Sequence, residues 1–133
     1  MTSSQTQLLQ FISTDQAPAP LGHYSQAVRH QGLLYVSGQL AIQADGHIDA
    51  DMSVADQTRL TLDNIAAIVT AAGGKMDHVI KVTIYIADIN IWPEVNATYA
   101  DYFGDHRPAR VAAPVPALPK GLMIEMDAIV AVS

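Results

Sequence analysis

The chain has 133 residues and a formal charge of −6; half of its residues are hydrophobic and only 15% are charged. That length suits one domain, and a composition this apolar and weakly charged excludes a disordered chain. Thirteen acids against seven bases exclude a broad phosphate-tracking surface, and the lack of cysteine excludes disulfides, thiol nucleophiles and cysteine-ligated metals.

A chain of this size buries only about two-thirds of its unfolded surface. Part of the apolar surplus is therefore expected in an oligomer interface. The segment Met1–Gln10 lacks the basic start and apolar core of a secretion signal. No apolar run approaches the roughly 20 residues of a membrane span. The expectation is a cytoplasmic protein, one domain over residues 1–133, with no membrane association.

Taken in chain order, Ala17-Pro18-Ala19-Pro20 reads as an extended connection. Ser25–His30 and Leu33–Ser37 flank Gln31-Gly32, which suggests a hairpin. Leu33-Leu34-Tyr35-Val36 is a continuous apolar run, so this strand is expected to be buried on both faces. Asp45-Gly46 marks a turn. Ser53–Ala72 reads as a helix, capped by Ser53 with Asp56 three residues on. Leu62, Ile65, Val69 and Ala72 lie along one face, and Gly73-Gly74 stops it. Val79–Ile86 alternates as a half-buried strand, with Ile80, Val82, Ile84 and Ile86 assigned to the inner face.

A second helix is expected over Trp92–Phe103, with Pro93 in its first turn, Gly104 at its end, and Val95, Tyr99 and Tyr102 inward. Arg110–Val115 can be a strand, but Pro114 and Pro116 confine it to an edge or an irregular path. After a turn at Leu118–Gly121, Leu122–Val132 forms the last strand, with Leu122, Ile124, Met126, Ala128 and Val130 inward. The order β-β-α-β-α-β-β implies an α+β two-layer sandwich: a mixed sheet with two helices on one face. The bare sheet face is a place for association.

Glu125 is one of only two glutamates and lies mid-strand among apolar residues; Asp127, two residues on, shares its face roughly 7 Å away. The pattern fits a solvated strand face, or a carboxylate that holds water and whose pKa burial would raise. Arg110 enters a proline-rich stretch, Val111–Pro119, that carries no charge. It is either a surface arginine near Asp105 or a planar fork for a carboxylate. Tyr24-Ser25 and Ser37-Gly38-Gln39 lie at strand ends that can face a cleft. The five histidines show no metal-ligand spacing, so no metal is expected.

Seven short motifs stand in a shared order: Gly22-His23-Tyr24-Ser25-Gln26-Ala27, Val36-Ser37-Gly38-Gln39, Gln57-Thr58-Arg59 leading to Leu62-Asp63-Asn64-Ile65, Val95-Asn96-Ala97-Thr98-Tyr99 with Tyr102-Phe103, Arg107-Pro108-Ala109-Arg110, Leu118-Pro119-Lys120-Gly121, and Ile124-Glu125 to Ala128-Ile129. Over residues 15–131 the chain resembles the RidA/YjgF family of reactive-intermediate imine deaminases, also labelled endoribonuclease L-PSP. The resemblance implies a chorismate-mutase-like α+β fold and a homotrimer with active sites between subunits. It implies hydrolysis of 2-aminoacrylate- and 2-iminopropanoate-like substrates to 2-oxo acids and ammonia, with no cofactor. By position it assigns Arg110 to the substrate carboxylate and Glu125 to the attacking water. Tyr24, Ser37, Gly38 and Asn96 become pocket residues. Ala112 stands where many members have cysteine, so any role there runs through its backbone carbonyl. Pro114 and Pro116 replace more strand-like residues, and His23 stands where proline is usual. The ribonuclease or translation-inhibitor label, a non-catalytic carboxylate-binding trimer and a pathway-specific deaminase are the competing functions. The acidic charge disfavours nucleic acid.

Overall fold

The computed structural model describes residues 8–133. Of the segment Met1–Gln10, residues 1–7 lie outside this range. Six strands form one sheet: β1 (Gln10–Ile12), β2 (Ala27–His30), β3 (Leu33–Leu40), β4 (Val79–Ile86), β5 (Ala109–Pro114) and β6 (Ile124–Ala131). Among the described residues two α-helices, α1 (Val54–Ala71) and α2 (Trp92–Phe103), accompany the sheet. The sheet order is β1-β2-β3-β6-β4-β5. All pairs are antiparallel except β4 and β5, which run parallel and so need a crossover, supplied by α2.

Local chemistry sets the element ends. Gln31 and Gly32 both have positive φ (50° and 79°), giving the two-residue turn between β2 and β3. Ser53 Oγ accepts the Asp56 N–H at 3.1 Å and caps α1. Beyond α1, the Gly74 N–H donates to Val69 C=O at 2.9 Å, with Gly73 at φ 79°. Pro93 sits in the first turn of α2, and Gly104 ends it at φ 65°.

The core lies between the helices and one sheet face. Leu34, Leu62, Ile65, Ile68, Ile84, Ile124 and Met126 are fully buried there. A smaller cluster of Leu40, Ala41, Ile42 and Leu122 closes the end of β3. The expected inner rows hold for α1, for Ile124, Met126, Ala128 and Val130 of β6 and for Val95 and Tyr99 of α2, whereas Leu122 precedes the strand in the smaller cluster and Tyr102 is only half-buried, its hydroxyl donating to Asp63 Oδ1. Pro114 ends an edge strand, as expected.

Three local expectations are corrected. A short β1 pairs with β2 through Gln10↔Arg29 and Ile12↔Ala27; three residues carry too little pattern to announce a strand. β3 is not buried on both faces: Leu34 and Val36 point inward, whereas Tyr35 is 45% exposed, because nothing among the described residues covers the second face. Ile80 is 44% exposed and Val79 takes its inner place. The pairs Val79↔Val130 and Lys81↔Ile129 leave Ile80 as the extra residue of a β-bulge, which breaks the period of two. The uncovered face carries Phe11 on β1, Tyr35 on β3 and Val111 on β5, all substantially exposed.

Candidate functional site

Glu125 is placed by alternation. Its neighbours Ile124 and Met126 are fully buried against the helices, so its own side chain faces the uncovered side of the sheet. Opposite it, β3 is bulged. The pairs Val36↔Ala128 and Gln39↔Met126 set two residues, Ser37 and Gly38, against Asp127 alone. The bulge presses Gly38 against Glu125: a Cβ on residue 38 would overlap the Glu125 Oε2 atom and lie 3.1 Å from Cδ. The missing Cβ is what lets Glu125 keep this position, since the φ of Gly38 is not in the left-handed range.

Leu21, Tyr24, Ser37, Gly38, Lys120 and Glu125 line one open cleft of about 660 Å³. The Tyr24 phenol oxygen accepts the Leu21 N–H at 3.1 Å. Ser37 Oγ donates to Ser25 C=O at 2.6 Å. Behind them the buried Gln26 side chain accepts the Thr14 N–H at 2.7 Å and donates to the Thr14 and Pro18 carbonyls at 3.0 and 2.9 Å, tying the proline-rich connection to β2. Lys120 sits at φ 63° in the turn before β6.

Buried amides of α1 brace the strand ends next to this cleft. Asn64 Nδ2 donates to the Leu40 and Ile42 carbonyls at 3.0 and 2.8 Å, fixing the end of β3. Gln57 Oε1 accepts the Met123 N–H at 3.0 Å, fixing the entry to β6. Two residues of one family motif thus act as braces.

Burial, and then the Asp127 carboxylate, raise the pKa of Glu125 above the ordinary carboxylate range. Asp127 is held in turn by Tyr85 of β4, whose hydroxyl donates to Asp127 Oδ2 at 3.0 Å. That hydrogen bond, burial and the two carboxylates raise the Tyr85 pKa, so the phenol stays protonated and keeps donating.

Arg110 lies elsewhere. It pairs in register with Val82, a core residue, so it belongs to the helix side of the sheet, opposite the face of Glu125. Its Nη1 donates to Asn96 Oδ1 at 2.8 Å, and its guanidinium carbon stands 4.8 Å from the Trp92 ring centroid and 5.0 Å from that of Tyr99. Among the described residues the only ion pair is Arg59–Asp56, so Arg110 has no carboxylate partner there. Tyr99, Phe103, His106, Arg107 and Arg110 line a second cleft of about 450 Å³. Burial raises the Tyr99 pKa, with Arg110 opposing. Ala112 follows on the same exposed edge strand, paired with Ile84.

The residues singled out in the sequence therefore form two groups. Tyr24, Ser37, Gly38 and Glu125 share the first cleft; Arg110 and Asn96 are in contact beside the second, with Ala112 further along the same edge. One chain does not bring the groups together. Sequence reasoning missed Lys120 in the cleft wall, although its Leu118–Gly121 motif was noted. It also missed Trp92, whose spacing of four residues to Asn96 and seven to Tyr99 was the available signal.

The model of the endoribonuclease L-PSP family matches residues 14–132. A RutC family protein of Pyrococcus horikoshii is 45% identical over 118 residues, 89% of this chain and 94% of that protein. A 2-iminobutanoate/2-iminopropanoate deaminase of Escherichia coli K12 is 42% identical over 122 residues, 89% of this chain and 94% of its own. The crystal structure of E. coli TdcF with bound serine superposes with a TM-score of 0.87 at 38% identity, covering 93% of this chain and 99% of that one.

Proposed function

The chain belongs to the endoribonuclease L-PSP family, and from that premise we propose that it is a deaminase hydrolysing small 2-imino and 2-enamino acids to 2-oxo acids and ammonia. The observation that carries the reading is Arg110: an arginine without a carboxylate partner among the described residues, held by three side chains of α2, with N–H groups left over for a planar carboxylate. Glu125 supplies the complementary group, a half-buried carboxylate of raised proton affinity at the wall of an open cleft.

In the proposed reaction Arg110 grips the substrate carboxylate and fixes the adjacent C=N carbon. Glu125 takes a proton from water as the oxygen bonds to that carbon and passes it to the imine nitrogen, which leaves Glu125 ionised again. As the C–N bond of this carbinolamine breaks, the hydroxyl proton passes to Glu125 and onward to the nitrogen. A 2-oxo acid and ammonia leave. A raised pKa suits a group that must both accept and donate the proton.

Because the two groups lie on opposite faces of one sheet, a joint site requires two copies of the chain, the Arg110 edge of one docking over the Glu125 cleft of another. The exposed Phe11, Tyr35 and Val111 on the uncovered face support association, which we assign to a homotrimer. The similarity to a deaminase and to a protein seen with serine, itself an amino-acid carboxylate, supports the substrate class. The test is a dehydratase-coupled assay that generates 2-aminoacrylate and follows 2-oxo acid above the uncatalysed rate. The wild type accelerates release and Arg110→Ala does not. Equal rates for the two proteins refute the assignment, and salt-sensitive RNA cleavage by the same preparation would replace it.

A further inference from the structure

Trp92, Asn96 and Tyr99 recur at intervals of four and three residues along α2, so one helix face presents them in a row. All three touch the Arg110 guanidinium: Asn96 by a 2.8 Å hydrogen bond, Trp92 and Tyr99 through ring centroids 4.8 and 5.0 Å away. An arginine on an exposed edge strand would otherwise sample many rotamers, and freezing them would weaken ligand binding. We infer that Trp92 and Tyr99 are positioning residues for carboxylate recognition, holding the Arg110 guanidinium so that the N–H groups not given to Asn96 meet the substrate carboxylate. This rests on the deaminase reading above, which assigns the carboxylate to Arg110.

The burial pattern suits the role. Tyr99 is 5% exposed and cannot swing away, while Trp92 is half-buried at the start of the helix. The Tyr99 hydroxyl is buried without a hydrogen-bond partner among the described residues, so it is the ring rather than the hydroxyl that acts on Arg110. The carboxylate is not the reacting group and is held alike in ground and transition states. Loss of the cradle therefore raises KM and spares kcat.

Trp92 is the only tryptophan in the chain, so its emission reports directly on the Arg110 neighbourhood. The experiment titrates 2-oxobutanoate, a stable product of the proposed reaction, into the assembled wild type, Arg110→Ala, Tyr99→Phe and Tyr99→Leu. It also measures imine turnover for each. The wild type shows a saturable change in emission that Arg110→Ala abolishes. Tyr99→Phe keeps Kd and KM within about twofold, and Tyr99→Leu raises both roughly tenfold with kcat retained. A folded Tyr99→Leu with unchanged Kd and KM, or with kcat lost and KM intact, overturns the inference. If Tyr99→Leu does not fold, Trp92→Leu carries the same test through KM. Emission that titrates without any imine turnover refutes the deaminase reading alone; turnover with no change in emission or in KM refutes this inference alone.

Discussion

Gly38→Ala separates catalysis from folding. The new Cβ would overlap the Glu125 carboxylate oxygen and stand 3.1 and 3.4 Å from Cδ and Cγ. The obstructing atoms are the far end of a flexible side chain, so Glu125 rotates and the backbone holds. The rotamer shift costs about 0.5–1.5 kcal/mol. Alanine at a residue outside the left-handed region returns about 0.4–1 kcal/mol by restricting the unfolded chain. Net stability therefore changes by no more than about 1 kcal/mol, and Tm stays within roughly 5 °C. Activity responds differently, because displacing a proton-transferring carboxylate by about 1 Å costs on the order of 10²-fold. The assay is release of 2-oxo acid from freshly generated imine, beside a thermal melt. A folded Gly38→Ala protein with wild-type kcat/KM would refute the placement of Glu125 at the reacting carbon.

Asp127→Asn removes a charge that raises the Glu125 pKa, so the acidic limb of the kcat/KM profile should move to lower pH; a limb that stays in place removes Asp127 from the account. The stability consequence has its own sign. A carboxyl whose pKa is raised on folding stabilises the native state below the unfolded value of about 4.3, and that contribution is lost as pH rises through the folded value. The Tm of Glu125→Gln relative to wild type should thus increase from acid to neutral pH, while turnover is lost. Asn64→Ala withdraws two donors from the Leu40 and Ile42 carbonyls. It should cost about 2 kcal/mol, a fall in Tm of roughly 5–10 °C, read by thermal melting.

Much of the fold was legible because its signals are local. The period of two in β6, the glycines after each helix and the Ser53 cap each act within a few residues. What the sequence hid depends on pairing between distant segments. Ile80 looks like an inner residue until β6 is laid beside β4 and shows the bulge. Gly38 reads only as a glycine at a strand end until Glu125 is seen against it. Arg110 and Glu125 looked like partners, yet register places them on opposite faces, because Arg110 lies beside core Val82 and Glu125 beside Tyr85. The Trp92–Asn96–Tyr99 row was readable as helical spacing. Its purpose appears only once β5 sets Arg110 upon it.

The central claim, that Arg110 and Glu125 act from different copies of the chain, is tested most directly by mixing two inactive variants. Arg110→Ala and Glu125→Ala subunits are denatured together, refolded at equal ratio and assayed for imine hydrolysis. Sites shared between copies give back about one quarter of wild-type activity, since random assembly pairs an intact Arg110 with an intact Glu125 at that frequency. A refolded mixture as inactive as its parents, beside a wild type that recovers fully, contradicts the account.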